Sequence, residues 1–239
     1  MNVLPHIELA TGPDPLATVI WMHGLGADGW DFVPIVRELD MEDAALRFIF
    51  PHAPVRPVTI NNGYEMRAWY DISQSDIARL PDEAGIRESQ RAVEALIDRE
   101  RGRGVAPSNI VLAGFSQGGV IALQAGLRYR DRLGGIAALS TYLALEDSLD
   151  REAAPANKAT PIFMAHGTQD PVVPLQLGEA AHRALASRGY KVDWNTYPMP
   201  HAVCAEEVEA IGDFLARILG LAGEEDDAPR SSSILLPGR

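Results

Sequence analysis

A single cysteine, Cys204, stands among 239 residues. No internal disulfide can form, which suits a reducing compartment. No apolar run approaches the ~20 residues that a membrane helix requires. The opening stretch, MNVLPHIELATGPDP, has neither the basic nor the apolar segment of a secretory leader. The cytoplasm is therefore the expected location, without stable membrane insertion. Basic residues are also scarce: 21 Lys and Arg face 33 Asp and Glu, a net charge of −12. Such a surface disfavours nucleic acid and anionic lipid as partners. The chain shows no P-loop, no dinucleotide fingerprint and no cluster of side chains at metal-ligand spacing. Neither a cofactor nor a metal is expected.

What is present is ordinary for a globular protein: 46% hydrophobic and 23% charged residues. The length suits one sizeable α/β core. Residues 1–220 read as a single domain. Residues 221–239, with the acidic run Glu224-Glu225-Asp226-Asp227, read as a mobile tail ending in an expression remnant.

Short apolar runs alternate with helical patterns. Ala17 to Met22 reads as a strand buried on both faces, Ile110 to Gly114 and Pro161 to Ala165 as further buried strands, and Leu46 to Phe50 and Gly135 to Leu139 as strands. Val3 to Leu9 and Lys191 to Tyr197 read as flanking strands. Helices are expected over Trp30 to Leu39, Asp82 to Arg101, Val120 to Tyr129, Gly178 to Arg188 and Ala205 to Leu219. This alternation predicts a mostly parallel central sheet with helices on both faces. Val58 to Pro81 shows no clear periodicity. Its Met66, Trp69 and Tyr70 suit either a flap lining an apolar acyl pocket or a loop tucked over the core.

Chemistry concentrates at Gly114-Phe115-Ser116-Gln117-Gly118. This G-x-S-x-G sequence falls between an expected strand and an expected helix, the setting of a nucleophile elbow. The turn is so tight that side chains on either flank would collide, hence the glycines. The helix N-terminus would favour a developing negative charge.

In a parallel sheet, working groups gather beyond the carboxyl ends of strands. His23-Gly24-Leu25-Gly26, Ser116, Asp170 and His201 each follow a different expected strand. Ser116 precedes Asp170 by 54 residues and Asp170 precedes His201 by 31, in the order Ser, Asp, His that such sheets use. His201 is expected to take the serine proton and return it to the leaving group. Asp170 would hold the imidazole tautomer. The N–H groups of Leu25 and Gln117 would bind the oxyanion. His23 reads as an anchor for its loop and His166 as a brace. His52 and His182 are weaker rival bases, Asp147 and Asp193 weaker rival acids. Cys204 could be activated at a helix start but has no second base.

His23-Gly24-Leu25-Gly26, Trp69-Tyr70-Asp71, Gly114-Phe115-Ser116-Gln117-Gly118-Gly119, His166-Gly167-x-x-Asp170-Pro171-Val172-Val173-Pro174 and Met199-x-His201 together resemble the carboxylesterase/acyl-protein thioesterase/lysophospholipase family. The resemblance spans about residues 15–220. It implies an α/β-hydrolase fold with no large lid domain and a serine hydrolase needing no cofactor. It implies a catalytic triad of Ser116, Asp170 and His201, with Leu25 and Gln117 as oxyanion donors, and a small-molecule ester or acyl substrate. Some members pair into homodimers. The expected activity is hydrolysis of short- to medium-chain carboxylic esters. The alternative is an acyl-protein thioesterase or lysophospholipase acting on long chains, and a more distant one is a non-catalytic binding protein on the same fold.

Overall fold

The computed structural model describes residues 3–41, 44–73 and 81–221. In chain order the elements are β1 (His6–Ala10), β2 (Ala17–Met22), α1 (Ile35–Glu38), β3 (Leu46–Pro51), β4 (Val55–Val58), β5 (Tyr64–Arg67), α2 (Glu83–Gly102), β6 (Ile110–Phe115), α3 (Gln117–Arg128), β7 (Gly135–Leu139), α4 (Glu146–Glu152), β8 (Ile162–Gly167), α5 (Leu175–Ser187), β9 (Val192–Tyr197) and α6 (Ala205–Leu219). Seven strands form one sheet in the order β1-β3-β2-β6-β7-β8-β9. Only β1 runs antiparallel to its neighbour; every other pairing in this sheet is parallel.

The central strands are mostly apolar because both of their faces are covered, with Thr18, Arg47 and His166 as buried polar exceptions. Every residue of β2 and β8 is buried. Alternate residues of one strand feed opposite cores. Ile20 and Met22 join Leu112 and Ile136 in a core closed by α2, α3 and α5. Val19 and Trp21 join Val111 and Phe163 in a core closed by α1 and α6. The edge strand β9 has no buried residue and exposes Asp193 and Thr196, as a strand with a neighbour on one side only can. This is the α/β-hydrolase arrangement, and no large lid domain interrupts the described residues. Among these residues no helix is long and apolar enough to cross a membrane.

Local chemistry sets the element ends. The Asp82 side chain accepts the Gly85 N–H at 3.0 Å and starts α2. Gly220, at φ 67, closes α6 in the left-handed conformation.

Two expectations need correction. The helix expected from Trp30 shortens to α1, Ile35–Glu38, with Pro34 before it. A helix begun at Trp30 would need an N–H from residue 34, and proline has none. The chain instead makes tighter turns, with Val33 N–H bonding Trp30 O at 3.2 Å and Ile35 N–H bonding Phe32 O at 3.1 Å. Within the aperiodic stretch that begins at Val58, β4 and β5 pair as an antiparallel hairpin, Val58 opposite Tyr64. Its turn places Asn62 at φ 58 and Gly63 at φ 75. The Asn-Gly dipeptide was the available sequence signal. Residues 222–239 of the expected tail lie outside the described residues.

Candidate active site

Ser116 sits between β6 and α3 with φ 54 and ψ −119, a conformation that costs a non-glycine residue about 1–3 kcal/mol. Surrounding bonds hold it there. Its N–H donates to Leu139 O at 2.9 Å. Its carbonyl accepts the Thr141 hydroxyl at 2.7 Å and the Val120 N–H at 3.2 Å. The flanking glycines are required by space. A Cβ on Gly114 would lie 2.2 Å from Gly118 O, and one on Gly118 would lie 2.2 Å from Met22 O. Strand, turn and helix approach too closely for any side chain at either position.

The acid and base arrive on the loops after β8 and β9. Asp170 Oδ2 accepts His201 Nδ1–H at 2.6 Å. Its Oδ1 accepts the N–H groups of Val172 and Val173, both at 2.8 Å. These bonds fix the carboxylate, whose side chain has no exposed surface. With Nδ1 donating to a carboxylate, His201 Nε2 remains as the proton acceptor. The imidazole packs on Phe115, ring centroids 4.7 Å apart, and is only 15% exposed. Ser116 and His201 line the same cavity. No hydrogen bond joins the serine hydroxyl to the imidazole in this substrate-free geometry, and such bonds often tighten only when substrate binds.

The rival residues lie elsewhere. His166 is buried, donates from Nε2 to Val173 O at 2.8 Å and lies 3.6 Å from Asp170 Oδ2, so it braces the acid's loop. His182 stacks on Trp194. His52 Nδ1 accepts the Gly29 N–H at 3.1 Å. Asp147 belongs to the exposed start of α4, and Asp193 pairs with Arg217 at 3.3 Å. Cys204 precedes α6, and burial, the largest of the influences on it, raises its thiol pKa, so the thiol is poorly suited to attack.

The loop after β2 completes the rim. His23 is buried; its Nδ1–H donates to Gly24 O at 2.6 Å and its Nε2 accepts the Ala53 N–H at 3.0 Å. Burial lowers its pKa, which keeps the ring neutral and able to accept. The Gly26 N–H donates to Arg67 O at 2.9 Å, so the loop is pinned on both sides of Leu25. Trp69 connects this loop to the elbow. Its indole N–H donates to His23 O at 2.9 Å, and its backbone N–H donates to Gln117 Oε1 at 2.9 Å. Gln117 Nε2 returns a bond to Tyr70 O at 2.7 Å. Leu25 and Gln117 both border the cavity beside Ser116.

That cavity measures about 270 Å³ and is mostly apolar, with Phe115, Tyr70, Ile72, Tyr142 and Val172 on its walls. Of the three pocket residues expected from the sequence, only Tyr70 lines it. Trp69 has no exposed surface, because its polar groups and ring are spent bracing the two loops. The Met66 sulfur accepts the Asn61 side-chain amide at 3.4 Å and lies under Gly26, behind the rim.

The sequence profile of the phospholipase/carboxylesterase family matches residues 6–219. The chain belongs to this family. Its relatives include acyl-protein thioesterase 1 of Neurospora crassa, 42% identical over 88% of this chain and 90% of that protein. Acyl-protein thioesterase 1 of Mycosarcoma maydis is 36% identical over 92% of this chain and 99% of that one. Among solved structures, Arabidopsis thaliana SOBER1 is similar with a TM-score of 0.80 and 33% identity, covering 85% of this chain and 99% of that chain.

As a phospholipase/carboxylesterase family member, the protein is a serine hydrolase acting on carboxylic esters or thioesters. The site has a hydroxyl on a strained turn and an imidazole held by a buried carboxylate, with Leu25 and Gln117 bordering the same cavity. Among the described residues no group of His, Cys, Asp and Glu is placed to hold a metal ion. Sequence reading did not nominate Tyr142 or Val172 as pocket residues. Tyr142 follows the end of β7, so the rule that sites gather beyond strand ends could have found it.

Proposed function

We propose that this chain is an acyl thioesterase of the acyl-protein type, which hydrolyses fatty-acyl thioesters, and the matching oxygen esters, through an acyl-serine intermediate. The observation that carries the chemistry is Ser116 at φ 54, lining one apolar cavity with His201, whose ring is held by Asp170. The names of the fungal relatives favour thioesters of acylated proteins over the short-chain carboxylesters expected from the sequence. The geometry supports the following roles. His201 Nε2 takes the proton as Ser116 Oγ attacks the acyl carbon. The N–H groups of Leu25 and Gln117 hold the oxyanion. As the tetrahedral centre collapses, the C–S bond breaks and His201 returns its proton to the departing thiolate. Water, deprotonated by the same imidazole, then releases the fatty acid and restores the serine.

A second reading, a short- to medium-chain carboxylesterase, is favoured by the cavity's size. About 270 Å³ is at the small end for a ligand pocket. A non-catalytic binding role finds no support, since no member of the catalytic set is missing. The single cysteine suits work in a reducing compartment such as the cytoplasm.

The test compares acetyl, octanoyl and palmitoyl groups, each as a thioester and as an oxygen ester. A phosphonate probe should label Ser116. Ser116→Ala should lose hydrolysis of all six substrates while melting at the same temperature. Retained turnover in that variant rejects the mechanism. Preference for acetyl esters with inert palmitoyl thioesters selects the second reading.

A further inference from the structure

A second cavity, of about 450 Å³, adjoins the first. Among the described residues, Tyr142 alone lines both. The second cavity is amphipathic. Leu143, Leu177 and Ala181 are half-buried or buried within it, whereas Glu83, Glu146, Asp147 and Arg151 are exposed around it. Tyr142 itself is only 4% exposed. Its hydroxyl is bonded to that of Tyr70, another wall of the first cavity, at 2.8 Å. Burial pushes the Tyr142 phenol up to about 12 and raises that of Tyr70 well above its ordinary value, so both stay protonated and the bond is one between neutral groups. The bond ties the Tyr142 ring across the boundary between the two spaces.

We infer that Tyr142, held by Tyr70, is the residue that sets how long an acyl chain the site accepts, by closing the Ser116 cavity off from the second one. This rests on the reading of Ser116 as the nucleophile and of its cavity as the acyl site. An acyl chain attached at Ser116 and lying against Tyr70 and Ile72 runs into Tyr142. Past that ring the apolar side chains of Leu143, Leu177 and Ala181 continue the path. Removing the ring joins the two spaces and lets further methylenes leave water.

The experiment measures kcat/KM across a series of saturated p-nitrophenyl esters from butyryl to palmitoyl. Tyr142→Ala should move the fall-off to longer chains, raising the palmitoyl-to-octanoyl ratio at least about tenfold, the gain from burying two more methylenes. Adding Leu177→Trp to that variant refills the second cavity and should return the ratio towards the wild-type value. Tyr142→Leu, a milder truncation, should shift the ratio the same way and serves if the alanine variant does not fold. An unchanged length profile in a folded Tyr142 variant, or a raised ratio that Leu177→Trp does not lower, overturns the inference. Ser116→Ala in the same assay separates the two claims. If it abolishes turnover while Tyr142 variants keep the wild-type profile, the acyl-enzyme reading stands and the length-setting role of Tyr142 falls.

Discussion

Replacing Asp170 by Asn is the sharpest test of how the site is wired. The carboxylate uses one oxygen on the backbone N–H groups of Val172 and Val173 and the other on His201 Nδ1–H. Asparagine has one oxygen and one NH2. Two backbone donors at 2.8 Å hold the amide oxygen where Oδ1 now sits. The NH2 then faces His201 Nδ1, which must become an acceptor. The ring answers by moving its proton to Nε2, and an imidazole protonated there cannot take the Ser116 proton. The geometry survives while the tautomer is wrong. A change of this kind lowers kcat by about four orders of magnitude in a serine hydrolase, or about 5 kcal/mol of transition-state stabilisation. The opposite orientation, with NH2 towards the two backbone N–H groups, sets donor against donor twice and is disfavoured. The assay is kcat for an octanoyl thioester, with circular dichroism and the melting temperature as controls for folding. A loss of less than about tenfold in a folded Asp170→Asn variant would refute the argument that Asp170 governs the tautomer.

Two further outcomes are expected. In Gly118→Ala, the new Cβ would sit 2.2 Å from Met22 O and 2.7 Å from His23 O, both backbone atoms. The start of α3 must move off the oxyanion loop, at a cost of about 1–3 kcal/mol in stability and about a hundredfold in kcat, read by calorimetry and steady-state kinetics; wild-type values for both would count against the close-approach account of the elbow. Glu207, in the first turn of α6, has no exposed surface and no hydrogen bond to either carboxyl oxygen. Burial pushes it up to about 8, against a downward pull from the Cys204 backbone, with Tyr197 and Glu206 as neighbouring ionisable groups. An acid whose value is raised on folding binds its proton more tightly in the native state. Its contribution is therefore fully present below its ordinary value of 4.5 and is lost as pH climbs through about 8. Glu207→Gln should flatten the decline in melting temperature across that window; parallel pH curves for the two proteins would contradict it.

Much of the fold was legible because the central strands leave no ambiguity. Runs such as Ala17–Met22 and Ile162–Gly167 are almost entirely apolar, with Thr18 and His166 the exceptions, and a short run of that kind between turn signals suits a strand covered on both faces. The strained turn at Ser116 was legible because local sterics dictate it: a serine on a turn tight enough to need glycine at both flanks is a feature of five consecutive residues. Pro34 and Asn62-Gly63 carried equally local signals, one ending a helix and the other turning a hairpin, and the periodicity reading overlooked both.

The sequence by itself determined the strand–helix alternation, the elbow, and the order of serine, acid and base along the chain, because each depends on neighbouring residues or on the layered fold they imply. Only the tertiary structure decided what each aromatic does. Trp69 and Tyr70 are adjacent in the chain, yet one braces two loops from within the core and the other walls the cavity. Tyr70 meets Tyr142 across 72 residues. The bond by which the Asp170 carboxylate accepts the His201 N–H, and the Tyr142 ring shared by two cavities, depend on contacts between distant loops, which neighbouring residues do not encode.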